Sequence, residues 1–120
     1  PGDVEAVKAL GADGFIDSQL AAAPSTYPST LFAQSLETTQ EHFMQLALTG
    51  QDQLRQRVAW ALHKIWVVSA VEVERAPAIV TYQQLLLDHA FGNYRDLMKA
   101  VTLNPAMGRY LNMLNNRSQA

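Results

Sequence analysis

Apolar residues recur at helical spacing along almost the whole chain, and the breaks between runs carry glycine, proline or capping residues. Asp3 is placed to cap a short helix carrying Val4, Val7 and Leu10, with Gly11 as its left-handed stop. Asp13 opens a second short helix with Phe15, Ile16 and Leu20. Pro24-Ser25-Thr26-Tyr27-Pro28-Ser29 breaks the period and reads as a loop. Ser29 or Thr30 then opens a long helix to Thr49, with Phe32, Leu36, Phe43 and Ala47 as its stripe and Gly50 beyond it. A further helix runs from Asp52 to about Glu72. The tight turn between these two predicts an antiparallel hairpin.

The helix from Asp52 has two apolar sides. Leu54, Val58, Ala61, Leu62, Ile65 and Val68 make one, and Trp60, Val67 and Val71 the other. Such a helix is expected at the centre of the fold. Pro77 suits the first turn of the next helix, which stops at Gly92 and turns Ile79, Leu86, Leu87 and Ala90 inward. Asn93 with Asp96 three residues on resembles a capping box, followed by Tyr94, Leu97, Met98 and Val101 at helical spacing. Asn104-Pro105 starts the last helix, with Met107, Tyr110, Leu111 and Leu114. The tail from Asn115 is polar. The predicted fold is all-α: an irregular bundle of six to seven helices around a central buried helix, one domain over 1–120, with no sheet.

Composition narrows the functions. Hydrophobic residues make up 48% of the 120 positions and charged residues only 17%, so little polar material covers the surface. A partner, or further sequence, is expected to cover part of the apolar area. Nine basic residues lie scattered among eleven acidic ones, for a net charge of −2. That lacks the clustered cations that displace counterions from phosphates, and no nucleic-acid partner is expected. Without cysteine there are no disulfides, thiolate nucleophiles or Cys-ligated metals. No apolar run reaches the ~18 residues of a membrane span. The chain begins at Pro1, which reads as a mature segment or an excised piece.

The polar candidates have structural explanations beside the chemical ones. His42, His63 and His89 fall on three predicted helices without an i, i+4 pair, so neither a metal site nor a cofactor is expected. His89 near Tyr82 has the make-up of a general base, but a histidine closing a helix is already explained by the helix dipole and a bond to a carbonyl or to Tyr82. Arg57 on the central helix requires a carboxylate, from Asp96, Glu37 or Glu41, if it is buried. Asn93 and Asp96 are accounted for by capping, and Arg95 by a salt bridge to a neighbouring helix. Arg57, His63, His89, Asn93, Arg95 and Asp96 thus form the candidate polar cluster, read as structural, with no catalytic assignment.

Three stretches carry a family resemblance. They are His89-Ala90-Phe91-Gly92-Asn93-Tyr94-Arg95-Asp96-Leu97-Met98 with Asn104-Pro105-Ala106-Met107-Gly108-Arg109-Tyr110-Leu111; Gln53 to Leu62 with Val67-Val68-Ser69; and Asp3 to Leu20. Together they resemble the bacterial domain-of-unknown-function family eighteen-hundred. The resemblance implies that Asn93, Arg95 and Asp96 are among its strongest polar positions. Family members are several times longer, so the chain is expected to be an N-terminal fragment. Many members look exported, and their genes often lie beside those of a sulfatase-like family of unknown function. The expected setting is therefore periplasmic or extracellular, and otherwise cytoplasmic. The expected function is a non-catalytic structural or interaction module. Its partner would be the remainder of its polypeptide or another protein, and the fragment itself is expected to self-associate. The alternative is a piece of a cell-envelope hydrolase whose catalytic groups lie partly beyond the chain end.

Overall fold

A computed structural model describes residues 2–113, and among them every regular element is helical, with no strand. The helices are α1 (Gly2–Ala21), α2 (Leu36–Thr49), α3 (Gln53–Ile65), α4 (Ala70–Val73), α5 (Ala76–Asp88), α6 (Tyr94–Leu103) and α7 (Pro105–Tyr110). A short 3-10 helix, Ser29–Ala33, precedes α2. The capping role expected of Asp3 and the character of the polar tail lie outside the residues whose side chains are described.

α1 bends at Gly11, whose φ of 71° and ψ of 172° leave the helical region. The two short helices expected on either side of that glycine are thus present, joined across the kink it makes. Its Val4, Val7 and Leu10 stripe is exposed rather than buried. The long helix expected from Ser29 is also interrupted. Ser35 is extended and its side chain accepts from the N–H of Thr38, so α2 starts there, while residues 29–33 make only the tighter 3-10 turn.

The α2–α3 hairpin forms as expected. Phe43 meets Trp60 edge-on at 6.5 Å, and the Gln53 amide donates to the Gly50 carbonyl at 2.9 Å. Gly50 is required by closeness rather than by φ: a Cβ there would lie 2.7 Å from the Leu46 carbonyl oxygen.

The continuous helix expected from Asp52 to Glu72 is corrected. α3 ends at Ile65, residues 66–69 are non-helical, and α4 is a single turn capped by Ser69. The backbone break is satisfied by a side chain: the Tyr82 hydroxyl donates to the Trp66 carbonyl at 2.6 Å. The central position belongs to α5, which packs against the 3-10 helix and against α2, α3, α4, α6 and α7. Its Ile79, Val80, Tyr82, Leu86 and Leu87 are all buried. They meet Leu31, Ala59, Val68, Val73, Leu97, Val101, Ala106 and Met107 in one cluster.

α3 keeps part of the expected inward face, since Leu62 packs on the core and Val68 beyond the helix is buried, but its most buried positions are others. Its inward line is Asp52, Gln56, Ala59 and half-buried His63, while Ala61 and Ile65 face outward. The apolar count on each side of α3 pointed the other way. Hydrogen bonds explain the outcome for Asp52 and Gln56: the loop that precedes the 3-10 helix donates to Asp52, which also accepts from Gln56, and burial then costs both little.

Candidate functional site

The loop 22–28 has backbone groups that no helix satisfies, and the interior supplies their partners. Asp52 accepts from the Ser25 N–H at 2.8 Å, from the Ser25 hydroxyl at 2.6 Å and from the Gln56 amide at 3.1 Å. Its side chain is fully buried. Burial alone would push the Asp52 carboxyl up, but the Ser25 and Gln56 bonds outweigh it and hold the group below its ordinary value. Further along the loop, the Gln84 carbonyl oxygen accepts from the Tyr27 N–H at 2.7 Å. The Gln84 amide reaches the Ser25 carbonyl at 3.4 Å and Asp88 Oδ1 at 2.8 Å.

Arg55 is the buried guanidinium, not Arg57. It lies 3.9 Å from Asp52, donates to the Leu87 carbonyl at 3.2 Å and stacks over the Phe91 ring at 4.4 Å from its centroid. Arg57 is exposed and pairs with none of Asp96, Glu37 or Glu41. The physical reason is the phase of α3: position 57 lies on the side facing away from α5, where its stem lines a shallow apolar hollow with Phe15 and Leu54.

The remaining candidates are spread over several elements. His63 is half-buried on α3 with its ring 6.2 Å from that of Tyr82. Burial, and secondarily the Lys64 charge, lowers its basicity. His89 caps the C-terminus of α5, as its position suggested, but Tyr82 turns to Trp66 and not to His89. Asn93 caps α6, accepting from the Arg95 N–H at 2.8 Å. Asp96 occupies the first turn of α6, and it and Arg95 are exposed and form no ion pair among the described residues. His42 lies beside Tyr27, ring to ring at 5.3 Å, and burial lowers its basicity. Burial also pushes the Tyr27 phenol well above its ordinary value and the Tyr82 phenol up to about 12.

The stitched loop places Tyr27 in the wall of an open groove of about 380 Å³ between α5, the 3-10 helix and α6. Phe32, Leu85 and Ala100 supply apolar walls, and Asp88 and His89 lie at the end of α5. Sequence reasoning missed Asp52, Arg55, Ser25 and Gln84. One signal for them was present: Asp52, Arg55, Gln56 and Ala59 share a helical face, so polar residues occupy core spacing beside a small apolar one. Among the described residues no group of three or more His, Asp or Glu is placed to hold a metal, and no helix is long and apolar enough to cross a membrane.

These features define an all-α domain with a hydrogen-bonded loop anchor and an apolar groove, but no converged acid–base set among the candidates. The match to a family model described as "Protein of unknown function (DUF1800)" covers residues 1–120, and the chain belongs to that family. Searches of curated proteins and of solved structures find no significant match.

Proposed function

We propose that the chain is a non-catalytic helical docking module. Its partner surface is apolar, helical and edged with carboxylates, on a protein partner or on further helices of its own polypeptide. One observation carries this reading: the outer face of α3. Arg57, Trp60, Ala61, Lys64 and Ile65 recur at i, i+3, i+4, i+7 and i+8, and all are exposed. Trp60 is 41% and Ile65 65% accessible, on a helix whose other side builds the core. Val67 and Val71, just beyond α3, are exposed too.

A central aromatic with a small neighbour and a branched aliphatic has the make-up of an interface core. The two cations on the same face lack ion-pair partners among the described residues, which favours an acidic rim opposite them. Elsewhere Asp52, Gln56, Gln84 and Tyr82 are engaged in holding the loop and the α3–α4 break, and Arg55 in bonding the end of α5. That leaves the α3 face as the best-equipped surface for binding.

A synthetic amphipathic helix with leucines on one face and flanking glutamates tests the reading. With Trp66→Phe as the background, Trp60 emission should shift to the blue on binding, and binding should weaken with salt. Arg57→Glu with Lys64→Glu should abolish it, and a peptide with lysine in place of glutamate should not bind. Equal binding of both peptides, or none, contradicts the proposal. The exported bacterial setting belongs to the same proposal and is supported by the family resemblance. Cell fractionation with the natural full-length protein tests it, and recovery in the cytosol contradicts it.

A further inference from the structure

The groove beside α5 has a charge character of its own, independent of the α3 face. Its walls are the Tyr27 and Phe32 rings and Leu85, and its end is formed by Asp88 and His89. Gln84 donates to Asp88 Oδ1 and so fixes the carboxylate at the rim. No hydrogen bond among the described residues reaches Asp88 Oδ2, and no cation pairs with Asp88. α5 ends at Asp88, and its Leu85 and Leu87 carbonyls are already bonded, Leu87 by the Arg55 guanidinium, so the charge of the groove's end rests on the Asp88 carboxylate. Neither lysine nor arginine lines the groove.

We propose that this groove binds a small organic cation: a compact apolar body carrying an alkylammonium group. The apolar body would lie against Leu85 and the rings, and the charged group beside Asp88. The rings and Leu85 bury the apolar body, and the carboxylate supplies the counter-charge. The volume, about 380 Å³, falls in the range of small-molecule sites. An anion of the same shape meets the Asp88 carboxylate and is disfavoured.

The probe is n-hexyltrimethylammonium, below its aggregation concentration and at low salt, followed by amide chemical shifts of the labelled chain. Hexanesulfonate is the anionic comparator of equal tail length. The expected result is saturable binding of the cation alone, with shifts centred on Phe32, Thr81 and Leu85. Asp88→Asn keeps an oxygen for Gln84 while removing the charge, and should weaken binding about fivefold, as loss of one well-placed exposed ion pair does. Equal response to the sulfonate, shifts centred on α3, or no saturable response in the wild-type chain overturns the proposal. So does undiminished affinity in Asp88→Asn. The comparison of cation with sulfonate on the wild-type chain stands even if that variant folds poorly.

Discussion

Asp52 takes both hydrogen bonds that Ser25 has to give, from its N–H at 2.8 Å and from its hydroxyl at 2.6 Å. The two residues are 27 positions apart, so one buried carboxylate ties the proline-flanked loop to the turn of the α2–α3 hairpin. The tie acts with the Gln84 bond to the Tyr27 N–H to fix the loop that carries Tyr27 into the groove wall.

Removing the hydroxyl should therefore be costly. Ser25→Ala deletes one charge-assisted bond and is expected to destabilise by about 1.5–3 kcal/mol in urea melts. The pH dependence has a definite sign. The folded-state value of Asp52 is depressed, so its contribution is present above the unfolded value, about 3.9, and is lost as pH falls through the folded one. Asp52→Asn should be less stable near neutral pH and lose less on acidification. An unchanged acid profile would remove Asp52 from the account.

Asn93 should behave as a cap. Its side chain accepts from the Arg95 N–H, so Asn93→Ala is expected to cost about 1 kcal/mol, and Asn93→Ser or Asn93→Asp much less. Equal losses for all three in denaturant melts would assign Asn93 another task. Among the hydrogen bonds of the described residues Asp96 does not return one to Asn93, so the capping box is half made. Asp96→Ala should accordingly cost less than Asn93→Ala.

The helix content was legible because local rules decide it. Asn93 and Asn104 cap, Pro105 starts α7, and Gly11 bends α1, each from short-range chemistry. The phase of α3 was not legible. Counting apolar residues favours Leu54, Ala61 and Ile65 as inward. What turns Asp52 inward instead is a partner loop far away in sequence, with Gln56 bonded to the same carboxylate and His63 set against Tyr82 of α5, and spacing along α3 reveals none of these partners. The same non-local cause hid Gln84, whose partners are Ser25 and Tyr27. Arg55, two positions from Arg57, takes the largely buried place that the sequence suggested for Arg57, for the same reason. The break after Ile65 was hidden as well, because the group that satisfies it, the Tyr82 hydroxyl, belongs to α5.

The half-buried histidines give a second acid step, separate from that of Asp52. The folded-state values of His63 and His42 are lowered, so the fold favours the neutral rings. Stability should start to fall as pH drops below the unfolded value of about 6.5, and continue to fall down to the folded values. His63→Gln should diminish this step and leave the lower Asp52 step in place. A stability profile flat from neutral to about pH 5 would contradict the placement of His63 against Tyr82.

The central claim is that the outer face of α3 is a docking surface, and sedimentation velocity across a range of concentrations tests it most directly. With no partner present the face should bury itself against another copy. Salt should strengthen that association by screening Arg57 and Lys64 from their counterparts. Trp60→Glu with Ile65→Glu should return the chain to a monomer of unchanged helical content. A wild-type chain that stays strictly monomeric at every concentration and salt would contradict the account.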